Sequence, residues 1–128
     1  MVFIESRVFT RRLGELANAH APEVLDAIQS DLLKSPDAGR LVQGLGGIRK
    51  ARAADPSRGK GKRGGFRYLY LNVPKRTHIH LLYLLGKDEQ EDLDAEERTA
   101  LRRLVAQIRN QALEVWRWRR SEERFFEI

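Results

Sequence analysis

The stretch IRKARAADPSRGKGKRGGFRYLYL, Ile48 to Leu71, decides how the rest of the chain is read. Two short runs of mixed apolar and basic residues flank a polar loop from Asp55 to Gly65, which holds Pro56, Gly59, Gly61, Gly64 and Gly65. That punctuation predicts neighbouring antiparallel strands joined by a mobile loop. Side chains alternate along a strand, so Lys50 and Arg52 share one face while Arg49, Ala51 and Ala53 take the other. The loop adds Arg58, Lys60, Lys62 and Arg63 against one acid, Asp55, and the second strand opens with Arg67. Cations this dense, without local carboxylates, call for an external polyanion, and we read the stretch as a ribbon that holds RNA.

Before the ribbon, Val2 to Ile4 reads as a short strand. Phe9, Leu13, Leu16 and Ala17 recur at helical spacing, predicting a helix from about Thr10 to Ala19. Asn18 and His20 interrupt it, and Pro22 suits the first turn of a second helix. Val24, Leu25, Ile28, Leu32 and Leu33 form the apolar stripe of that helix, with Glu23, Asp26, Gln29, Ser30 and Asp31 towards water. Ser35-Pro36 ends it, since proline disfavours a helical conformation in the residue before it. After the ribbon, His78 to Leu85 is the most apolar strand and belongs inside the sheet. An acidic run (Asp88, Glu89, Glu91, Asp92) follows, suited to the entry of a helix. Asp94 and Glu97 have capping-box spacing, so the last helix begins there. Its stripe is Leu101, Leu104, Val105, Ile108, Ala112, Val115 and Trp116, with Arg102, Arg103 and Arg109 on the other side. The tail pairs Trp118, Phe125, Phe126 and Ile128 with dense charge, either as further packing or as a face for a partner. The order β-α-α-β-β-β-α predicts an α+β domain: a small, mostly antiparallel sheet, two N-terminal helices and a long C-terminal helix.

A chain of 128 residues fits one domain with one core. The net charge of +6 points to phosphate-rich or acidic partners. The absence of cysteine excludes disulfides, thiolate chemistry and Cys-based zinc sites. A charge at Glu5 comes too early for a signal peptide, and no apolar run is long enough to cross a bilayer, so the expectation is a soluble, cytoplasmic protein without a membrane partner.

Several pieces, in this order and spacing, resemble the RelE/HigB superfamily of toxins from type II toxin-antitoxin pairs. They are the opening Phe-Ile-Glu-Ser-Arg-Val-Phe-Thr-Arg, Leu32 to Gly39, Gly46-Gly-Ile-Arg-Lys-Ala-Arg, Gly61 to Tyr70, and Leu84-Leu-Gly-Lys-Asp-Glu-Gln-Glu-Asp-Leu. The resemblance covers roughly Val2 to Val105. It implies a compact RelE-like, microbial-ribonuclease-like sheet packed by two N-terminal helices, and residues 1–128 are read as one such domain, with 106–128 as a C-terminal helical extension on which the resemblance is silent. It also implies a ribosome-dependent mRNA endoribonuclease that arrests translation without a cofactor or metal. The partners it implies are the ribosome, mRNA and a cognate antitoxin, a small helix-turn-helix protein. Matched to the family's basic residues, Lys50 and Arg52 fall on the basic pair and Arg67 on the arginine after the Gly-aromatic step; Lys87 is the only cation left just after the fourth strand. The chain departs from the pattern at Asp88 and Asp94, where some members carry an arginine and later a tyrosine or histidine.

Metal-free cleavage needs a group to take the 2′-hydroxyl proton, cations for the transition state and an acid for the leaving 5′-oxygen. Arginine keeps its proton, whereas a lysine crowded by like charge gives one up more readily. This assigns Lys50 as base, Arg52 and Arg67 as phosphate clamps, and Lys87 as a phosphate contact or acid; His80 or Tyr83 are alternative acids. Arg49, Arg58, Lys60, Lys62 and Arg63 are read as RNA-backbone contacts. The plainer reading is a solvated basic strand that grips phosphate without chemistry, giving an RNA- or ribosome-binding module or an inactive toxin relative. Phe66, Tyr68 and Tyr70 are either base-stacking platforms or core. His78 and His80 share a strand face, but two imidazoles fall short of a metal site.

Overall fold

The computed structural model describes residues 1–59, 61–87, 89 and 93–126, with side chains through Gln111. Lys60, most of the acidic run (Asp88, Glu91, Asp92) and the side chains of Ala112, Val115, Trp116, Trp118, Phe125, Phe126 and Ile128 lie outside the described residues. In chain order the elements are β1 (Val2–Glu5), α1 (Arg7–Ala17), α2 (Ala21–Lys34), β2 (Arg40–Leu41), β3 (Arg49–Ala53), β4 (Phe66–Val73), β5 (His78–Leu85) and α3 (Ala95–Phe126). The strands form one sheet in the order β1-β5-β4-β3-β2, antiparallel except where β1 runs parallel to β5. The α+β expectation holds, with one added strand. The two residues of β2 are too few to carry an alternating pattern.

Helix α1 starts three residues earlier than its apolar spacing predicts, because the Ser6 hydroxyl caps it by accepting from the Phe9 amide at 3.0 Å. Phe9, Leu13 and Ala17 face inward at four-residue steps, and Asn18, at φ 50°, ends the helix. Pro22 sits in the first turn of α2, whose buried residues are Val24, Ile28 and Leu32. Leu33 departs from its predicted place in that stripe and is 58% exposed. The Asp94–Glu97 box caps α3 as read: the Glu97 amide donates to Asp94 Oδ1 at 2.7 Å, and the Asp94 amide to Glu97 Oε1 at 3.2 Å.

The single expected core is two, one on each face of the sheet. Phe66, Tyr68 and Tyr70 of β4 join Ile79, Leu81 and Leu84 of β5 beneath α1 and α2. The alternate residues Leu69, Leu71 and Val73 join Leu82 and Leu85, with Leu45 and Ile48, beneath Leu101, Val105 and Ile108 of α3. Phe66, Tyr68 and Tyr70 are therefore core side chains, each at most 4% exposed. A strand buried on both faces gains roughly 1.5–3 kcal/mol per large apolar side chain, which makes β4 the spine of the fold. Pairing of β4 with β5 shifts register between Leu69 and Tyr70, where Leu82 is the extra residue. Past β1, the free edge of β5 is covered by side chains: Ser6 Oγ donates to the Leu82 carbonyl at 2.7 Å and Arg12 Nε to the Leu84 carbonyl at 2.5 Å. Among the described residues no helix is long and apolar enough to cross a membrane.

Ser6 caps α1 and closes the β5 edge at once. Ser6→Ala is expected to lower stability by about 1–2 kcal/mol, the usual worth of a cap, read as a shift in the urea midpoint at unchanged slope.

Candidate nucleic-acid interface

The register of three strands builds the site. Arg40 lies opposite Lys50, Lys50 opposite Leu69, and Arg52 opposite Arg67. Directly opposed residues share a face, so Arg40, Lys50, Arg52 and Arg67 stand on the side that carries α3, while Ala51 and Ala53 turn towards Tyr68 and Phe66. Because β2 is short, the edge of β3 beyond Lys50 borders a cleft of about 550 Å³. Its walls include Arg40, Lys50, Arg52, Lys62 and Arg67, together with Asp31 from α2. A smaller hollow of about 140 Å³ shares Arg52, Lys62 and Arg67 and adds Arg63, Gly65 and Lys87. Gly65 allows this close approach: a Cβ there would lie 2.0 Å from the Ala53 carbonyl oxygen.

The cations fall into two groups by their partners. Arg67 is buried, 8% exposed, and its guanidinium donates to the carbonyls of Gly86 at 3.1 Å and Glu89 at 2.6 Å. It supports the turn after β5 as well as lining the cleft. The Glu89 carboxylate closes that turn by accepting from the Gly86 amide at 2.9 Å and pairing with Arg12 of α1. Lys62 pairs with Asp31 at 2.7 Å, and Arg58 with Asp55 at 3.5 Å. The loop is thus better neutralised than its sequence suggests, because Asp31 arrives from a helix remote in the chain. It contains a 3₁₀ turn over Gly61–Gly64. Arg49 faces the other side of the ribbon, where it donates to the carbonyls of Asp37 at 3.0 Å and Gly39 at 2.7 Å. Lys50, Arg52, Arg63 and Lys87 have no carboxylate partner among the described residues, and Arg52, Arg63 and Lys87 are exposed.

The two alternative acids lie away from this group. His80 and His78 line a separate hollow of about 200 Å³ with Ile4, Val73, Arg76 and Ile108. Burial, aided by the charge of neighbouring His78, pushes the His80 imidazole below its usual range. Tyr83 shares the sheet face of Lys50, but its ring lies under the Arg12 guanidinium at 4.6 Å. Burial above all, with the charges of Glu97 and Glu89, raises its phenol against the opposing charge of Arg12. Among the described residues no three His, Cys, Asp or Glu side chains could hold a metal ion.

Sequence reasoning missed Arg40 and Asp31. Arg40 carries no motif of its own and becomes relevant only through pairing. Asp31 left a signal: it is seven residues after Val24 and three after Ile28, the spacing of the inward side of α2. Its side chain is 34% exposed, against 58% for Leu33.

No family model matches the sequence. Among solved structures, the chain is similar to the toxin-antitoxin complex RelBE2 from Mycobacterium tuberculosis, at 23% identity over 66% of this chain and 95% of that one, with a TM-score of 0.52. It is also similar to the isolated RelE toxin of E. coli, at 14% identity over 70% of this chain and 87% of that one, with a TM-score of 0.50. The chain has the RelE-like fold.

The depressed imidazole of His80 has a measurable consequence. Below pH 6.5 the unfolded chain takes up a proton at this position before the folded one does, so the His80 contribution to stability is lost as pH falls from 6.5 through the lower folded value. Urea midpoints followed from pH 7.5 downward are expected to fall less steeply for His80→Gln than for the unaltered protein.

Proposed function

We propose that this protein is the toxin of a type II toxin-antitoxin pair, a cytoplasmic endoribonuclease that cuts mRNA on the ribosome and thereby arrests translation. The observation that carries this reading is the cleft in which Lys50 and Arg52, without carboxylate partners among the described residues, stand beside Lys62 and Arg67. In this reading an RNA strand crosses the cleft, and Lys50 and Arg52 grip the scissile phosphate and stabilise the charge that builds on it. Arg67 reinforces the positive potential from beneath. Lys87, in the adjoining hollow, donates a proton to the leaving 5′-oxygen. Arg63, Lys62 and Lys60 neutralise flanking phosphates without reading bases. Much of the rate enhancement comes from the ribosome, which sets the geometry of the message. The antitoxin expected as partner follows from the RelBE2 complex, whose fold this chain shares.

A second reading, a basic module that blocks the ribosome without cutting, is favoured by one observation: the His80 hollow and the Tyr83 hydroxyl are both removed from the cleft. Two experiments separate the readings. Induction in bacteria followed by mapping of message 5′ ends is expected to show arrest with new ends inside translated frames, whereas arrest with intact transcripts would leave the second reading standing. On ribosomes carrying a defined message, Lys50→Ala/Arg52→Ala is expected to cut about 10²-fold more slowly or worse. Binding of the unaltered protein to RNA should weaken steeply with salt, and less steeply once Lys62 and Arg63 are replaced by Ala.

A further inference from the structure

We propose that Asp31 is the proton acceptor for the attacking ribose 2′-hydroxyl, an assignment that rests on the reading of the chain as an RNA-cleaving enzyme. Among the described residues lining the cleft and the hollow that shares Arg52, Lys62 and Arg67 with it, Asp31 is the one carboxylate, against the cations Arg40, Lys50, Arg52, Lys62, Arg63, Arg67 and Lys87. It reaches the cleft from the last turn of α2, on the inward spacing of that helix, with its side chain two-thirds covered. Its charge is also felt by the Tyr68 hydroxyl, which burial above all, then Tyr70 and Asp31, keeps protonated beyond the usual range. Asp31 thus lines the same cleft as Tyr68, Lys50 and Arg52.

Chemistry singles it out further. An acceptor must be unprotonated at neutral pH, and a carboxylate paired with an ammonium is so already, whereas Lys50 would first have to lose a proton. Lys62, 2.7 Å away, pairs with the Asp31 carboxylate and orients it. The 2′-hydroxyl gives its proton to the Asp31 carboxylate as the 2′-oxygen bonds to phosphorus. The bond from phosphorus to the 5′-oxygen breaks, and that oxygen takes a proton from the Lys87 ammonium. The products are a 2′,3′-cyclic phosphate and a 5′-hydroxyl, and both side chains return to their starting forms by exchange with water. Lys50 is left as a cation at the phosphate, in place of the base role that the sequence reading gave it.

The test uses the full chain with bacterial ribosomes stalled on a defined message, measuring single-turnover cleavage and binding side by side. Asp31→Asn is expected to cut at least about 10²-fold more slowly while binding as tightly or more tightly, since it removes a negative charge from a cationic cleft. Asp31→Glu should recover part of the rate. Lys62→Met, which removes only the partner, should weaken binding and slow cleavage less than Asp31→Asn does. Cleavage by Asp31→Asn at the unaltered rate, or an equal loss in Asp31→Asn, Lys62→Met and the double variant, would overturn the assignment while leaving the nuclease reading intact. So would loss of binding together with cleavage in Asp31→Asn. Absence of cleavage by the unaltered protein would instead remove both.

Discussion

The pairing of β3 with β4 is the constraint from which the site follows. Its register places Arg52 against Arg67, and two like charges directly across a ladder oppose the pairing. The register is nevertheless enforced, because sliding β3 by one residue would drive Lys50 and Arg52 into the core beneath α1 and α2 and expel Ala51 and Ala53 from it. Burial of the small apolar faces of β3 thus compels the cations to gather on the other side. The core dictates where the positive charge goes.

Arg67 makes the arrangement tolerable. A buried cation requires hydrogen-bond partners, and the turn after β5 offers the carbonyls of Gly86 and Glu89. An arginine suits the place better than a lysine: its planar fork reaches two carbonyls at fixed angles, and its spread charge is less strongly hydrated. That turn is held in turn by the Glu89 carboxylate, which ties the Gly86 amide to Arg12. Arg12 also covers the free edge of β5. Support for the cleft therefore runs back to the first helix, through residues that never touch it.

These couplings mark the limit of what could be read before the fold was known. Local rules served well where the interaction was local: Pro22 in the first turn of α2, the Asp94–Glu97 box, and the alternation that separates Lys50 and Arg52 from Ala51 and Ala53. They failed where the partner was distant. Nothing near Lys62 in the chain announces Asp31, and nothing near Arg49 tells of the carbonyls it meets at Asp37 and Gly39. Hydropathy also misplaced Leu33 and Asp31, since each lies at the shoulder of the stripe and only the shape of the neighbouring surface decides which turns inward. Of the groups judged by chemical type alone, His80 and Tyr83 are the ones that the sheet sets apart from the cleft.

The useful charge of the cleft is consequently not the sum over the ribbon. Arg49 is taken up by the 37–39 segment and Arg58 by Asp55, so neither adds much to the field an approaching phosphate meets. Lys62 is partly cancelled by Asp31, its partner at 2.7 Å in the wall of the cleft. Lys50, Arg52, Arg63 and Lys87 remain to carry the attraction at short range, while the net charge of +6 governs the approach from a distance. The two ranges respond differently to ions. At about 0.15 M salt the long-range field is screened beyond roughly 8 Å, whereas contacts inside a partly desolvated cleft persist. The alternation of a five-residue strand thus places Lys50 and Arg52, both without a carboxylate partner among the described residues, together at the cleft.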